Sequence, residues 1–560
     1  MQVVVAPRPD GGGRLRPVGV DGEPLGPVEE VDDLAGRVAE WERVAGPRWV
    51  WPATAEVYPE LLRAGVRVRR CHDLGLAEGL LLGWAGRHGE PRWWGAAWAR
   101  SRGGPVPADP PAPRREESQP ALFEPVAAGT PDVDPVDAMT AVWVDQARRV
   151  AGVDRPELMR LLVAAESAGS LAAAEMSHHG LPWRVDVHDA LLTELLGPRP
   201  AVGARPGRLV ELADRIGAAF GGRAVNPDSP AEVVRAFAHD GVAVPSTRSW
   251  VLRGVDHPAV EPLLRYKELS RLFSAHGWSW LESWVRGGRF RPEYVVGGVV
   301  SGRWASRGGA ALQLPRVVRR AVVADPGWVL VVADAAQVEP RVLAALSGDR
   351  RFAEVAGEGD LYAGVAAEVF GGDRQRAKVA LLSAMYGGTS GGAGPLLAVL
   401  RQRFPEAVEF VEAAARAGEE GRMVRSRLGR TSPPPSAGWR AVVEQGADPG
   451  AGEVEERQAR RVARGWGRFT RNFVVQASAA EWALVLVAVL RGRLAPWAGS
   501  AELVFFQHDE VVLHCRREVA DRVREEVRAA GVEATRWVFG ATPVRFPLGV
   551  SVVDCYVDAK

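Results

Sequence analysis

The chain reads as a multidomain α/β protein, and three observations lead there. Its 560 residues are several times the usual domain length of about 150. Short apolar, β-branched runs alternate with stretches of helical period. Hydrophobic content of 47% and charged content of 25% are those of a globular chain, which excludes a mainly disordered or fibrous one.

Over residues 1–100, short apolar runs (Val3 to Ala6, Arg48 to Trp51, Val66 to Val68) alternate with helical stretches such as Leu74 to Gly83, and predict a small α/β domain. Residues 101–135, rich in Pro, Ala, Asp and Gly, predict a linker. Leu158, Leu161, Leu162, Ala165 and then Leu171 to Met176 recur at helical spacing, so residues 136–300 are expected to be helical. Beyond that, strands and helices mix over 301–345 and 466–560, around a helical insertion at 346–465. Trp482 to Leu490 is among the longest apolar runs, and Arg491 stops it short of the roughly 18 residues a membrane span needs. Met1 to Pro7 lacks the basic segment of a signal peptide. Cys71, Cys515 and Cys555 are spaced too widely for a disulfide framework or a zinc site. A cytoplasmic protein is the expectation.

The 70 basic and 69 acidic residues nearly cancel, so net charge excludes little. The kind of cation says more. Lysine occurs only at Lys267, Lys378 and Lys560, and where arginine is the default a lysine inside a motif is not filler.

Trp328 to Ala333 is a continuous apolar run, which predicts a buried strand ending at Asp334. An aspartate there can simply cap the next helix. Pro340, however, suits the first turn of a helix starting near Glu339, which leaves Asp334 at the strand end. A second acid lies in Leu503 to Leu513, where two apolar arms flank the polar tip Gln507-His508-Asp509-Glu510 and predict a β-hairpin. The arms are too apolar for a surface, so the tip is expected to open into a cleft. If Asp334 and Asp509 meet there, protonation or cations must relieve their repulsion. Hard oxygen ligands that leave positions open for phosphate and water suit magnesium, and two such ions serve phosphoryl transfer.

Two ladders follow the helical period. Arg374, Lys378, Leu382 and Tyr386 are four apart and share one face of a helix that Gly387 and Gly388 end. A cation pair one turn apart repels unless an anion such as a triphosphate lies between; a solvated basic stripe is the plainer alternative. Arg468, Asn472 and Gln476 form the second ladder, whose donors suit a duplex minor groove or an ordinary exposed face. Ser301-Gly302-Arg303 and Gln313, followed by Arg316, Arg319 and Arg320, make an arginine-dense segment of the kind nucleic-acid contact requires.

Taken in order, these segments resemble the family A DNA polymerases. Ser301 to Arg303 with Leu312, Gln313 and Pro315 is similar to the primer-gripping segment, and Asp334 to Arg341 to the first palm motif. Arg374 to Gly387 resembles the fingers helix and Gln507 to Glu510 the second palm motif. Asn226 to Pro230 and Leu264 to Leu269 resemble the thumb. The likeness covers roughly residues 155–560 and implies a right-hand polymerase, with an antiparallel palm sheet and helical fingers and thumb. It implies two magnesium ions on Asp334 and Asp509 with Glu510 assisting, and a triphosphate held by Arg374 and Lys378. Tyr386, Leu382, Glu339, Gln337 and His508 would surround the nucleotide, Glu339 crowding the sugar 2′ position. Arg303, Gln313, Arg468, Asn472, Gln476 and His508 would line the primer terminus. The implied activity is template-directed DNA synthesis on a primer by a monomer, with primer-template DNA and deoxynucleoside triphosphates as partners. A catalytically weak DNA-binding paralogue is the alternative.

Four positions depart from the family pattern. Leu382 replaces an aromatic residue, Ala335 and Ala336 replace Tyr and Ser, and Pro340 replaces an aliphatic residue. The N-terminal domain stands where relatives carry a 3′→5′ exonuclease of RNase H-like fold, whose metals need a D-x-E pair on a strand. The strand-like stretch Trp49 to Tyr58 has no such pair, so an exonuclease-like domain without proofreading is expected, and no 5′-nuclease domain is evident.

Overall fold

Residues 1–111, 133–357, 359–388 and 393–559 are described by the computed structural model, so most of the expected linker lies outside the described residues. The N-terminal fold is built on β1 (Gln2–Pro7), β2 (Gly13–Val18), β3 (Glu29–Val31), β4 (Arg48–Trp51) and β5 (Arg70–Asp73), in the order β3-β2-β1-β4-β5. β1 pairs antiparallel with β2 and parallel with β4, and β4 runs parallel to β5. Alternate residues of β1 face opposite ways, as the two-residue period requires. Val3 and Val5 meet α1 (Leu34–Val44) and α2 (Thr54–Arg63), while Val4 and Ala6 meet α3 (Leu74–Trp84), α4 (Trp94–Ser101) and α5 (Pro135–Ala151). The sheet is therefore covered on both faces.

Two expectations for this region change. The stretch from Trp49 to Tyr58 is strand only to Trp51, because Pro52 supplies no ladder N–H; from Thr54 it is helix. Val66 to Val68 lies just before β5 rather than in a strand. β2 went unseen because Arg14 and Arg16 break its apolar run. In the structure their guanidiniums reach Asp134 and Asp137 at 2.5 and 2.6 Å.

The chain divides into two compact units. One comprises Met1–His178, Tyr294–Ala305 and Val331–Ser551; the other comprises His179–Glu293, Ser306–Leu330 and Val552–Lys560. Helices α5 and α6 (Pro156–His179) thus group largely with the N-terminal sheet rather than with the helices that follow, since Val136, Met139, Val142, Trp143 and Leu171 pack on that sheet. In the second unit, helices Val185–Leu196, Gly207–Ala219, Pro230–His239 and Val260–His276 accompany a three-stranded sheet of two-residue strands.

The first unit also contains most of a four-stranded sheet, ordered Ala501–Gln507, Glu510–Arg516, Trp328–Ala335, Leu548–Val553. Val329 to Ala333 and Val504 to Phe506 are buried, which agrees with the uninterrupted apolar reading of both segments. A long helix runs from Glu453 to Arg493. An 18-residue window in it reaches mean hydropathy 2.0, longer than the run from Trp482 suggested. That window is 78% buried by protein, as the core helix of a folded domain would be.

Candidate functional site

Asp334 lies one residue before the end of its strand, and Asp509 at the hairpin tip between Gln507 and Glu510. The Ala335 N–H donates to the Asp509 carbonyl at 3.2 Å. Bonded geometry then holds the two aspartate α-carbons at most about 8 Å apart. Both aspartates are half-buried, Glu510 is buried and His508 is exposed. Among the described residues no group of three or more His, Cys, Asp or Glu side chains gathers to enclose a metal. A two-carboxylate platform suits a hard ion that keeps water and phosphate oxygens in its remaining positions.

Among the described residues, only Ala310, Gln337 and His508 are non-glycine residues with positive φ, the latter two at 56° and 60°. One follows Asp334 by three residues and the other precedes Asp509. A two-residue hairpin tip needs such backbone, and non-glycine residues held there cost of order 1–3 kcal/mol. Strain of this kind is concentrated where the two acids converge.

Gln337 precedes helix Val338–Ser347, with Pro340 in its first turn as expected. Its amide is engaged locally: the nitrogen donates to Asp360 at 2.9 Å, and the oxygen accepts from the Leu361 N–H at 2.9 Å. Buried Arg341, one turn on, donates to the carbonyls of Ala336, Ala356 and Arg545 and ties this turn to its surroundings.

Asp373 caps helix Arg374–Tyr386 through the Arg376 N–H, and Gly387 ends it at φ 69°. Ala377, Ala380, Leu381, Ala384 and Met385 are buried, so Arg374, Lys378 and Tyr386 lie on the exposed side with Leu382 half-buried. Arg374 pairs with Asp360 at 2.8 Å, and its guanidinium lies 5.5 Å from the Tyr362 ring. Burial pushes the Asp360 carboxyl up, but bonds from Arg374, the Ala363 N–H and Gln337 outweigh it and hold the group below its ordinary range. Asp360 and Tyr362 were not found from sequence. Asp360 also caps the helix that follows through the Ala363 N–H, a role so common that nothing in the residue order sets it apart.

Glu339 collects two donors. Arg303 Nη2 meets Oε1 at 2.5 Å, and the Tyr386 hydroxyl donates to Oε2. Burial, and next the Glu339 carboxylate, push the Tyr386 phenol well above its usual range. Arg468 is exposed and Asn472 and Gln476 are half-buried on the long helix. The Arg468 side chain packs where a Cβ at Gly387 would fall, 2.9 Å from its Cγ. Gln313 belongs to the second unit, where it accepts from Arg271 at 3.3 Å.

The family described as DNA polymerase family A matches residues 207–552. The thermostable DNA polymerase I of Thermus filiformis is 30% identical over 329 residues, covering 54% of this chain and 36% of that protein. DNA polymerase I of Chloroflexus aurantiacus is 29% identical over 202 residues, 31% of this chain and 21% of that one. The chain thus spans about a third of the length of the first of these relatives. Among solved structures, the POL domain of Pol1 from M. smegmatis, in complex with DNA primer-template and dNTP, superposes with TM-score 0.70 at 18% identity. That likeness covers 100% of this chain and 95% of the other, and it extends to the fold. With the matched segment taking in both aspartates, the helix from Arg374 and the Arg468 ladder, the chain belongs to DNA polymerase family A.

Proposed function

We propose that the chain is a template-directed DNA polymerase that extends a primer 3′ end with deoxynucleotides. The observation that carries the reading is the backbone bond from Ala335 to Asp509, which brings together two acids far apart in sequence, one near a strand end and one at a hairpin tip. Asp334 and Asp509 would hold two magnesium ions, with Glu510 beside them. Such ions, when bound, neutralise phosphate charge and favour the alkoxide form of an attacking hydroxyl.

The protein's own part is positioning and charge. Lys378 supplies a point charge and Arg374 a planar fork for the triphosphate. Arg374 must exchange Asp360 for phosphate or share itself between them. Glu339, fixed by Arg303 and Tyr386, crowds the sugar 2′ position, while Tyr386 meets the nascent pair. Arg468, Asn472 and Gln476 supply donors to the primer-template minor groove. Gln313, in the second unit, is a separate candidate for DNA contact. The implied partners are primer-template DNA and deoxynucleoside triphosphates, met by a monomer in the cytoplasm.

The N-terminal domain is read as exonuclease-like without proofreading. Support comes from its strand order, with β2 alone antiparallel to the others, and from β1 and β4, which carry no carboxylate. Asp73, at the end of β5, is committed to the N–H groups of Leu76 and Thr54.

Primer extension with magnesium and all four deoxynucleotides tests the polymerase reading. Asp334→Ala and Asp509→Ala should each lower it by about 10³-fold or more. Equal extension by wild type and Asp509→Ala would defeat the proposal.

A further inference from the structure

We infer that the buried pair Glu166–Arg430 positions the turn that carries Arg303, and through it the carboxylate of Glu339. The inference rests on the polymerase reading for its consequence but on geometry alone for the contact.

The segment from Tyr294 to Ala305 is clamped at both ends. At its base, Tyr294 and Trp304 pack on Phe506 or its backbone: the Tyr294 hydroxyl bonds the Phe506 carbonyl at 2.8 Å, and the Trp304 and Phe506 rings lie 4.8 Å apart. At its tip the chain folds back, with Val299 N–H to Arg303 O at 3.0 Å and Gly302 N–H to Val299 O at 2.7 Å. Gly297 and Gly302 have φ of 61° and 84°, backbone that other residues rarely adopt.

These two glycines face the two halves of the ion pair. A Cβ at Gly302 would collide with Arg430 Nε, and one at Gly297 would lie 3.2 Å from Glu166 Oε1. Glu166 and Arg430 thus hold the turn from opposite ends, bonded to each other, with side chains only 2% and 11% exposed. Arg430 is fixed from behind. Its carbonyl accepts from Ser426 N–H at 2.9 Å, and the Ser426 hydroxyl and the Leu428 N–H bond Glu481 at 2.5 and 2.8 Å. Glu481 and Gln476 share the long helix. A rigid path therefore runs from the helix of the Arg468 ladder, through Arg430, to the turn whose next residue holds Glu339.

Stability alone does not account for the pair. Glu166 Oε2 and Arg430 Nε are both buried without a hydrogen-bond partner, and each such atom works against the folded state. Buried ion pairs can often be replaced by uncharged groups at little loss. A cavity of about 120 Å³ borders Glu166, Arg430, Val296 and Val299, so the turn has room to settle elsewhere once the pair is gone.

The test is the double variant Glu166→Gln/Arg430→Met in the full chain, which removes both charges of the pair together, while Glu481 nearby keeps its bonds from Ser426 and Leu428. Unfolding should occur within a few degrees of wild type. A crystal structure of the variant should show Arg303 drawn away from Glu339; Arg303 still within hydrogen-bond distance would overturn the inference whether or not the protein is active. In single-nucleotide extension, the preference for deoxy- over ribonucleotide should fall about tenfold or more. An unchanged preference, with or without lowered stability, would reduce the pair to a structural brace. Failure of the wild-type protein to extend any primer would instead count against the polymerase reading, leaving the structural result to decide the positioning role.

Discussion

Glu339 shows how one side chain can be committed before any substrate arrives. Its two oxygens accept from Arg303 and from Tyr386, so the carboxylate cannot swing without breaking two charge-assisted bonds. If it crowds the sugar 2′ position, its rigidity is what excludes the extra hydroxyl. Glu339→Ala should therefore raise ribonucleotide incorporation by about tenfold or more, read as the ratio of kcat/KM values for matched ribo- and deoxynucleotides. Tyr386→Phe removes one of the two bonds and should have a smaller effect of the same sign. A Glu339→Ala enzyme that rejects ribonucleotides as well as wild type would show that selection lies elsewhere. Leu382, half-buried on the same helix, brings no ring to this group.

At the scale of elements, the N-terminal sheet is anchored to the rest of its unit by a charge buried between α6 and the long helix. Glu175, 4% exposed, accepts from Tyr58 at 2.6 Å, Arg67 at 2.9 Å and Arg491 at 2.7 Å. Arg491 also donates to the Arg69 carbonyl at 2.8 Å. Burial opposes the charged carboxyl, but Arg491 and Arg67 overcome it and keep Glu175 below its ordinary range. Removing one partner strands the other, so Glu175→Ala should cost about 3–5 kcal/mol in urea unfolding. Glu175→Leu/Arg491→Met, which removes the two most buried charges and leaves only the more exposed Arg67, should recover most of that loss. Equal losses in the single and double variants would mean that packing, not charge pairing, makes the junction.

For whole units, pH and nuclease action give two separate expectations. In the second unit, the Trp183 indole donates to His188 Nδ1 at 3.3 Å, and the His188 Nε2 bonds the His276 carbonyl at 3.0 Å, so His188 is held neutral. Both ring nitrogens of His276 are buried without partners. Burial lowers each histidine to about 4. The folded unit therefore binds protons less readily than the unfolded chain. Its full stability is present above the unfolded value of about 6.5 and is lost as pH falls from there toward 4, on the order of 3 kcal/mol per histidine. Tryptophan fluorescence during urea unfolding at pH 7 and pH 4.5 measures it, and equal midpoints would rule it out. For the first unit, a mispaired primer 3′ end should survive incubation with the protein and magnesium. Its removal by a preparation free of contaminating nuclease would restore proofreading to the N-terminal domain.

Much of the polymerase region was legible because its chemistry is local. The apolar strand ending at Asp334, the hairpin at Asp509 and the four-residue ladder from Arg374 each depend on a period of two or of 3.6, which the residue order states directly. The small strands β2 and β3 were not legible, since arginines and glutamates stabilised by distant partners look like loop residues until those partners are known. Only the tertiary structure joined the two acids through Ala335, gave Arg374 to Asp360, and set Glu166 and Arg430 on either side of the turn before Arg303. Contacts like these bring together residues tens to hundreds of positions apart, and their geometry follows from how packed elements meet, which no local pattern encodes.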